Sequence, residues 1–85
     1  MTVSFSEQAW EDYQYWQTTD PKMVKRINLL IRDTSRTPYE GLGKPEPLQH
    51  SLTGWWSRRI DREHRLVYKA TGGELLIAQC RYHYG

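Results

Sequence analysis

Cysteine is almost absent from this chain of 85 residues, because Cys80 is the only one. A single thiol excludes an internal disulfide and any zinc site built from several cysteines, and it is typical of a reducing compartment. Long apolar runs are missing too: none approaches the roughly 18 to 20 residues that span a bilayer. Acidic side chains also interrupt the region where a signal peptide would lie. We therefore expect a cytoplasmic protein that has no membrane segment, no metal and no other cofactor.

A large net charge is also lacking, since the formal charge is only +2. The charges are unevenly distributed, with five basic and six acidic side chains in residues 1–40 and seven basic and four acidic side chains in residues 41–85. Most of the basic residues in the second half are arginines, whose planar guanidinium group suits phosphate. This pattern is compatible with a nucleic-acid surface and equally with a solvated sheet face.

Large aromatic residues are abundant, with four Trp and six Tyr. In a chain of this length they must build much of the one modest core, with some ring edges left in water. We therefore expect a single domain over residues 1–85.

The first half of the chain predicts a strand and two helices. "TVSF" at 2–5 has the β-branched and aromatic content of a short strand. Ser6 is a suitable N-cap for a helix that runs to about Thr19, and Asp20 with Pro21 forms the cap and first position of a second helix. Apolar residues recur at helical spacing in both helices and predict the core-facing sides: Ala9, Trp10, Tyr13 and Trp16 in the first, and Met23, Val24, Ile27, Leu30 and Ile31 in the second.

The second half predicts a loop and three strands. Residues 37–53 contain three prolines and two glycines and are expected to form an ordered loop. Strands are predicted near 54–61, 63–70 and 74–84, joined by short turns, the second of which is "TGG" at 71–73. The predicted fold is α+β: a mostly antiparallel, twisted sheet with the two N-terminal helices on one face.

Strand alternation predicts which side chains share a face of the sheet. One face should carry Leu66 and Tyr68 of the third strand; Leu76, Ala78, Cys80 and Tyr82 should share a face of the last strand. The other face of each strand should carry Arg65, Val67 and Lys69, and Gln79, Arg81 and His83. Arg65 and His83 can then share a polar face free of helices, with the loop that carries Lys44 and Glu46 folded over it.

Glu46, Arg65 and His83 together form a set suited to phosphoryl transfer without a metal. A carboxylate can act as base, an imidazole as acid, and a guanidinium can stabilise charge on the phosphate oxygens. On RNA the nucleophile would be the ribose 2′-hydroxyl. Taken one at a time, these residues have ordinary interpretations as a loop acid, a surface histidine and a solvated arginine. The residues alone therefore leave a nucleic-acid-binding or protein-binding module open beside an RNA-cleaving enzyme.

Three segments resemble the YoeB-type toxins of the RelE superfamily. They are "WEDYQYWQTTDPKMVKRINLLIRDTSRTPYEGLGKPEPL", "GWWSRRIDREHRLVYK" and "CRYHY". The resemblance implies the toxin half of a bacterial toxin–antitoxin pair, with a fold like that of microbial ribonucleases. It further implies a ribosome-dependent endoribonuclease that cuts messenger RNA in the ribosomal A site and stops translation. The alternative is a module that inhibits the ribosome or another nucleic-acid machine by binding alone.

The resemblance also implies roles for individual residues. Glu46 would be the general base and His83 the general acid, Arg65 would stabilise the transition state, and Tyr84 would orient the substrate. Three basic residues, Lys44, Arg58 and Arg59, would bind RNA. Two positions depart from the family pattern: Gln49 stands where relatives can carry lysine, and Gly85 follows the tyrosine that usually ends the chain. The implied partners are a second copy of the chain, a YefM-like antitoxin with an acidic tail that folds on binding, and the ribosome with its message.

Overall fold

The computed structural model describes residues 1–83, and within them two helices and five strands follow in the predicted α+β order. The elements are β1 (Thr2–Phe5), α1 (Glu7–Thr19), α2 (Pro21–Arg36), β2 (Glu46–Pro47), β3 (Trp56–Arg59), β4 (Arg65–Thr71) and β5 (Glu74–Gln79), with a turn of 3-10 helix at His50–Leu52 before β3. Neither helix in this part of the chain is long and apolar enough to cross a membrane. The architecture confirms the predicted fold class, and the loop predicted at 37–53 additionally contains the short strand β2.

Both helices begin at the residues that the sequence indicates. Ser6 Oγ accepts the N–H of Ala9 at 3.0 Å, and Asp20 Oδ1 accepts the N–H of Lys22 at 3.2 Å, so each cap satisfies a donor that the helix leaves free. Pro21 occupies the first turn of α2, where its missing N–H has no cost. The predictions of helix starts at Ser6 and Asp20 are confirmed.

The five strands form one mixed sheet in the order β1-β5-β4-β3-β2. Neighbours from β2 to β5 are antiparallel, whereas β1 lies parallel to β5 at the other edge, with Thr2 opposite Glu74. Between β3 and β4 the chain turns at residues 60–64, closed by hydrogen bonds from the N–H groups of Ile60 and Asp61 to the carbonyl of His64. The sheet is therefore mostly antiparallel, as predicted.

A β-bulge in β5 changes the alternation of its side chains. Val67 lies opposite Gln79 and Tyr68 lies opposite Ile77, so Ala78 is an extra residue in β5. The prediction that Leu76 and Cys80 share a face was wrong: Leu75 and Ile77 are buried in the core, as is Cys80 beyond the bulge, whereas Leu76 lies on the other face. The strand also ends at Gln79 and not near residue 84, because the chain turns after it.

The core lies between the helices and one face of the sheet. Its buried members are Ala9, Trp16, Met23, Ile27, Leu30, Ile60, Leu66, Tyr68, Leu75, Ile77 and Cys80. The predicted face of α2 is confirmed, but that of α1 is only partly so. Asp12 is buried among the core-facing residues of α1, whereas Trp10 is 48% exposed and stacks on Tyr13 with 6.0 Å between ring centroids.

Arg58 is fully buried inside this core, on the helix side of β3. Its guanidinium donates to Oδ2 of Asp33 in α2 at 2.7 Å and to the hydroxyl of Tyr68 in β4 at 3.2 Å. Three further bonds reach backbone carbonyls of the loop that follows α2, those of Thr37, Glu40 and Leu42. These bonds match the five N–H donors of arginine in number, so the buried charge is compensated.

The loop after α2 is shaped around this guanidinium group. Asp33 Oδ2, which pairs with Arg58, also accepts the N–H of Leu42 at 2.9 Å. Gly41 between them has φ of +118°, a conformation that side-chain-bearing residues rarely adopt, and a Cβ there would collide with the Asp33 carboxylate. The buried charge pair therefore helps to fix residues 37–42, together with the packing of Tyr39 against Trp56.

The expectation that Arg58 binds RNA was wrong. Its guanidinium has no exposed surface and is saturated by protein acceptors, so it has no N–H to offer to a phosphate. The neighbouring Arg59 is exposed, on the other face of the strand.

Replacing Arg58 by methionine should strongly destabilise the protein. The substitution leaves the Asp33 carboxylate and several carbonyls without their donor, and breaking a buried charge pair in this way costs about 3 to 5 kcal/mol. Urea unfolding followed by circular dichroism measures the change in the free energy of unfolding. The matched control is Arg59→Met one residue along, which should change it by less than about 0.5 kcal/mol. Equal effects of the two substitutions would contradict a structural role for Arg58.

Asp33 should make the free energy of unfolding depend on pH in the acidic range. The N–H of Leu42 and the Arg58 guanidinium hold the pKa of Asp33 below its ordinary value of 3.8. In the acidic range the unfolded chain therefore binds more protons at Asp33 than the folded chain does. The contribution of Asp33 to stability is fully present above pH 3.8, the ordinary pKa, and is lost as pH falls through the lower pKa of the folded state. In urea unfolding from about pH 5 to about pH 2.5, the stability difference between wild type and Asp33→Asn should shrink as pH falls. A difference that stays constant or grows would show that the folded pKa is not lowered.

Candidate functional site

The helix-free face of the sheet carries basic residues of β3 and β4. Arg59 lies directly opposite Arg65 across the two strands, and Ser57 lies opposite Val67 two residues further on. Because Arg58 and Leu66 point toward the helices, their neighbours Arg59 and Arg65 point away from them. The sheet therefore places two guanidinium groups side by side on the face opposite the helices.

Glu46 lies on the same face, in the edge strand β2. It pairs with Ser57 of β3, so its side chain points to the side of the sheet where Arg59 and Arg65 lie. With strands spaced about 4.8 Å apart, the backbones of β2 and β4 are about 10 Å apart. Glu46 is exposed, and the flanking prolines are suited to an edge strand, whose outer side needs no N–H donor.

The segment before Glu46 continues along β3 and brings Lys44 toward Arg59. The N–H of Arg59 donates to the carbonyl of Gly43 at 2.7 Å, and the N–H of Leu48 donates to the carbonyl of Trp55 at 2.9 Å. Lys44 is exposed and has φ of +51°. Residues 43–48 thus form a continuous border to the helix-free face, with Lys44 and Glu46 in it.

Residues 80–83, called here the C-terminal segment, leave the end of β5 and are anchored first on α1. The N–H of Cys80 donates to Oδ2 of Asp12 at 3.0 Å, and the carbonyl of Cys80 accepts from Nε1 of Trp16 at 2.9 Å. Gln8 in turn donates to Oδ1 of Asp12 at 2.8 Å. The buried carboxylate of Asp12 thus explains why an acid occupies the core-facing side of α1.

The rest of the C-terminal segment is anchored on the turn between β3 and β4. The N–H of Tyr82 donates to Nδ1 of His64 at 2.7 Å, and the carbonyl of Tyr82 accepts the N–H of Arg65 at 2.9 Å. The Gln79 amide group donates to the carbonyls of Arg81 and His83 at 3.1 and 3.0 Å. The backbone before and at His83 is therefore fixed beside the start of β4.

Two of the predicted site residues, Arg65 and His83, are accordingly brought to the same end of the sheet. His83 is exposed and directly follows the residue that pairs with Arg65. Arg59 adjoins Arg65 on β3, while Glu46 and Lys44 border the same face two strands from β4. Tyr84 and Gly85 lie outside the described residues, and Gln49 is exposed beyond the end of β2.

Arg65 keeps most of its donors for a ligand. Within residues 1–83 its guanidinium bonds only through Nη1, to the carbonyls of Asp61 at 3.2 Å and His64 at 3.5 Å, and it forms no ion pair there. These bonds orient the guanidinium group and leave Nε and Nη2 without a hydrogen-bonding partner in the described residues. A guanidinium held in this way can bind a phosphate through two parallel bonds.

Within residues 1–83, Cys80 is not placed as a reactive thiol, and the residues that could bind a metal ion are not grouped. Burial, helped by the Asp12 charge, raises the pKa of the Cys80 thiol to about 12, so it remains protonated. Across residues 1–83 no group of three or more His, Cys, Asp or Glu side chains is placed to hold a metal ion.

Four residues that anchor the C-terminal segment were not predicted from the sequence: Asp12, Trp16, His64 and Gln79 as hydrogen-bonding partners. One signal was available, because Asp12 sits three residues after Ala9 and four before Trp16, in the middle of an apolar face. A carboxylate at such a position needs a buried partner. Nothing in the sequence indicates that His64 meets the backbone of Tyr82.

The family comparison covers nearly the whole chain. Residues 5–84 match the model of the YoeB-like toxin of bacterial type II toxin–antitoxin systems. The toxin YoeB of Escherichia coli K12 is 64% identical over 84 residues, which cover 99% of this chain and all of that protein.

Two solved structures from Staphylococcus aureus are similar in fold and sequence. A YoeB dimer superposes with a TM-score of 0.93 at 52% identity, and a heterotetrameric YoeB–YefM toxin–antitoxin complex superposes with a TM-score of 0.92 at 52% identity. Each match covers 99% of this chain and 98% of the other. With its predicted fold confirmed and residues 5–84 matched by the family model, the chain belongs to the YoeB-like toxins of bacterial type II toxin–antitoxin systems.

Proposed function

We propose that this toxin is a ribosome-dependent endoribonuclease that cleaves messenger RNA in the ribosomal A site and thereby inhibits translation. The observation that carries the proposal is the anchoring of the segment that bears His83 beside Arg65, on the face that Glu46 borders. An exposed imidazole near a chain end has no need of such anchoring, whereas a general acid must be held within hydrogen-bonding reach of its substrate.

The proposed reaction is transesterification by the ribose 2′-hydroxyl. Glu46 accepts the proton of this hydroxyl as its oxygen bonds to the adjacent phosphorus, and His83 donates a proton to the departing 5′-oxygen as the P–O bond breaks. The products are a 2′,3′-cyclic phosphate and a 5′-hydroxyl. Arg65 stabilises the negative charge that builds on the phosphate oxygens in the transition state. Each proton transfer uses a side chain of this protein, so the step requires no metal.

The arrangement of the side chains supports these roles. Acid and base must act on opposite sides of the phosphorus in an in-line displacement, and Glu46 on β2 is separated from the segment bearing His83 by the width of two strands. Arg65 starts β4 between them, and its donors are oriented by the carbonyls of residues 61 and 64. We therefore propose that the scissile phosphate lies over β4, between the base and the acid. Tyr84, which follows His83, is proposed to orient the substrate.

Two further basic residues, Lys44 and Arg59, are suited to binding the RNA backbone. Arg59 and Lys44 are exposed on or beside the helix-free face. Contacts of this kind add affinity that does not depend on base sequence and that weakens with salt. We assign them to binding of the message and not to proton transfer.

The partners are proposed from the relatives. The Staphylococcus aureus toxin forms a dimer and assembles with YefM in a heterotetramer. We propose that this chain likewise forms a homodimer and is neutralised by a YefM-type antitoxin, and that it acts in the cytoplasm, where ribosomes and their messages are found.

Substitution of the acid or the base should abolish most cleavage without preventing binding. His83→Gln and Glu46→Gln each remove a proton-transfer group, which is worth about 10² to 10⁴-fold in rate, and keep the size of the side chain. RNA ends are mapped on a defined message in a purified translation system, and ribosome binding is measured by co-sedimentation. Glu11→Gln on the exposed side of α1 is the matched control and should cleave like wild type.

A message with a single 2′-deoxyribose at the cleavage position tests the nucleophile, because it should stay intact. Cleavage of this message, or undiminished cleavage by either variant, would rule out the proposed chemistry. Translation that stops while the message stays whole would instead favour an inhibitor that acts by binding alone.

The assembly can be tested without any assay of cleavage. In sedimentation equilibrium the purified chain should have twice the mass of a single chain, and addition of a YefM-type antitoxin should produce a larger complex that no longer stops translation. A monomer at all concentrations, or an antitoxin that binds without neutralising, would contradict the assignment.

A further inference from the structure

His64 has no role in the proposed reaction, yet it is buried at the point where the C-terminal segment meets the sheet. Only 8% of its surface is exposed. Its ring packs against the edge of Trp16 in α1, with 4.8 Å between centroids and 80° between planes, and lies 5.9 Å from the ring of Tyr82. A polar ring in such a position must satisfy its nitrogens inside the protein.

The hydrogen bonds of His64 define which nitrogen carries a proton. Nδ1 accepts the N–H of Tyr82 at 2.7 Å, so it is unprotonated in this arrangement. In the neutral ring the proton is then on Nε2, which lies 3.6 Å from Oε1 of Glu63. The ring thus acts as an acceptor toward the C-terminal segment.

The turn that carries His64 is itself fixed. Oδ1 of Asp61 accepts the N–H groups of Glu63 and His64 at 2.8 and 2.7 Å. Partial burial raises the pKa of Asp61, but the N–H groups of His64 and Glu63 outweigh this effect and the pKa lies below its ordinary value. The Asp61 carboxylate therefore stays charged and holds the turn, which places the imidazole before any contact with Tyr82.

Tyr82 needs support on both sides of its peptide unit. Its φ is +65°, in the left-handed region that a bulky residue rarely adopts. Such a conformation persists only where surrounding contacts impose it. Here the N–H is held by His64 and the carbonyl by the N–H of Arg65. The backbone conformation of Tyr82 thus sets the direction in which the chain continues to His83.

We propose that His64 is a positioning residue for the general acid: by accepting the Tyr82 N–H through Nδ1, it fixes the backbone that presents His83 beside Arg65. This inference rests on the proposed function for its effect on cleavage, but the hydrogen bond can be tested independently. If His64 only filled space against Trp16, an apolar side chain of similar size would replace it.

Two substitutions separate the acceptor from the ring. His64→Asn keeps an acceptor oxygen near the position of Nδ1, whereas His64→Leu keeps apolar bulk and leaves the Tyr82 N–H without its acceptor. We expect His64→Leu to lower cleavage at saturating ribosome concentration by about 10 to 100-fold, since a displacement of about 1 Å has effects of this size. Ribosome affinity should be unchanged. His64→Asn should remain within about threefold of wild type, which is under 1 kcal/mol.

The hydrogen bond is measured directly on the wild-type protein by nitrogen NMR of the histidine rings. The correlations of the His64 ring should show a bare Nδ1 and a protonated Nε2, and amide exchange at Tyr82 should be slow. Exchange at Tyr82 should become fast in His64→Leu and stay slow in His64→Asn. The wild-type spectrum gives a result even if the leucine variant does not fold.

Several results would overturn the proposal. A protonated Nδ1 in the wild-type spectrum would remove the hydrogen bond on which it depends. Cleavage by His64→Leu at the wild-type rate, or an asparagine variant as defective as the leucine variant, would show that the acceptor does not matter. If the wild-type protein leaves the message intact, the proposed function fails, and the NMR and exchange measurements still decide whether His64 holds Tyr82.

Discussion

The buried charge pair between Arg58 and Asp33 is the constraint on which the rest of the structure depends. A guanidinium group in a core of this size is tolerable only if every donor is used, and here the acceptors come from α2, from β4 and from three backbone carbonyls of the loop after α2. These hydrogen bonds hold the path of the loop, which also packs Tyr39 against Trp56 with 4.8 Å between ring centroids and then leads on to β2.

The helix-free face is bordered on two sides by segments that are held by hydrogen bonds to other parts of the fold. One border, residues 43–48, follows the loop around Arg58 and pairs with β3. The other is the C-terminal segment, which is held by Asp12 and Trp16 of α1 and by His64 in the turn before β4. Polar contacts of the helices thus help to shape a surface that lies on the other side of the sheet: those of α1 hold the C-terminal segment directly, and those of α2 hold the loop that leads into residues 43–48.

Sequence patterns predicted what depends on local chemistry. Capping residues, Pro21 and helical periodicity indicated both helices, and turn residues indicated the antiparallel strands. Arg58 was misassigned because nothing around it distinguishes a buried arginine from the exposed one that follows; its environment is made by Asp33, 25 residues away. The alternation of β5 was misread for a similar reason, since the bulge at Ala78 serves the packing of Cys80 against α1 and leaves no local mark.

The candidate site was predicted as a set of residue types but not as a geometry. The grouping of Arg65 with His83 relied on strand alternation carried past the point where β5 ends, and the bulge happens to preserve the expected face for Gln79. The contacts that hold the C-terminal segment could not be predicted from the sequence, because those to Asp12, Trp16 and His64 join residues that are far apart in the chain.

Those separations have a consequence for folding. The bonds that fix Cys80 join it to Asp12 and Trp16, which lie 68 and 64 positions earlier in the chain. In contrast, the helix hairpin and the β3–β4 and β4–β5 hairpins form between segments that are adjacent in sequence. Contacts of such long range close large loops and are expected to form late in folding. Opening of this junction would also leave the hairpins intact. The helices and the antiparallel hairpins can therefore form while the C-terminal segment is not yet fixed, and we expect the helix-free face to gain its C-terminal border late in folding.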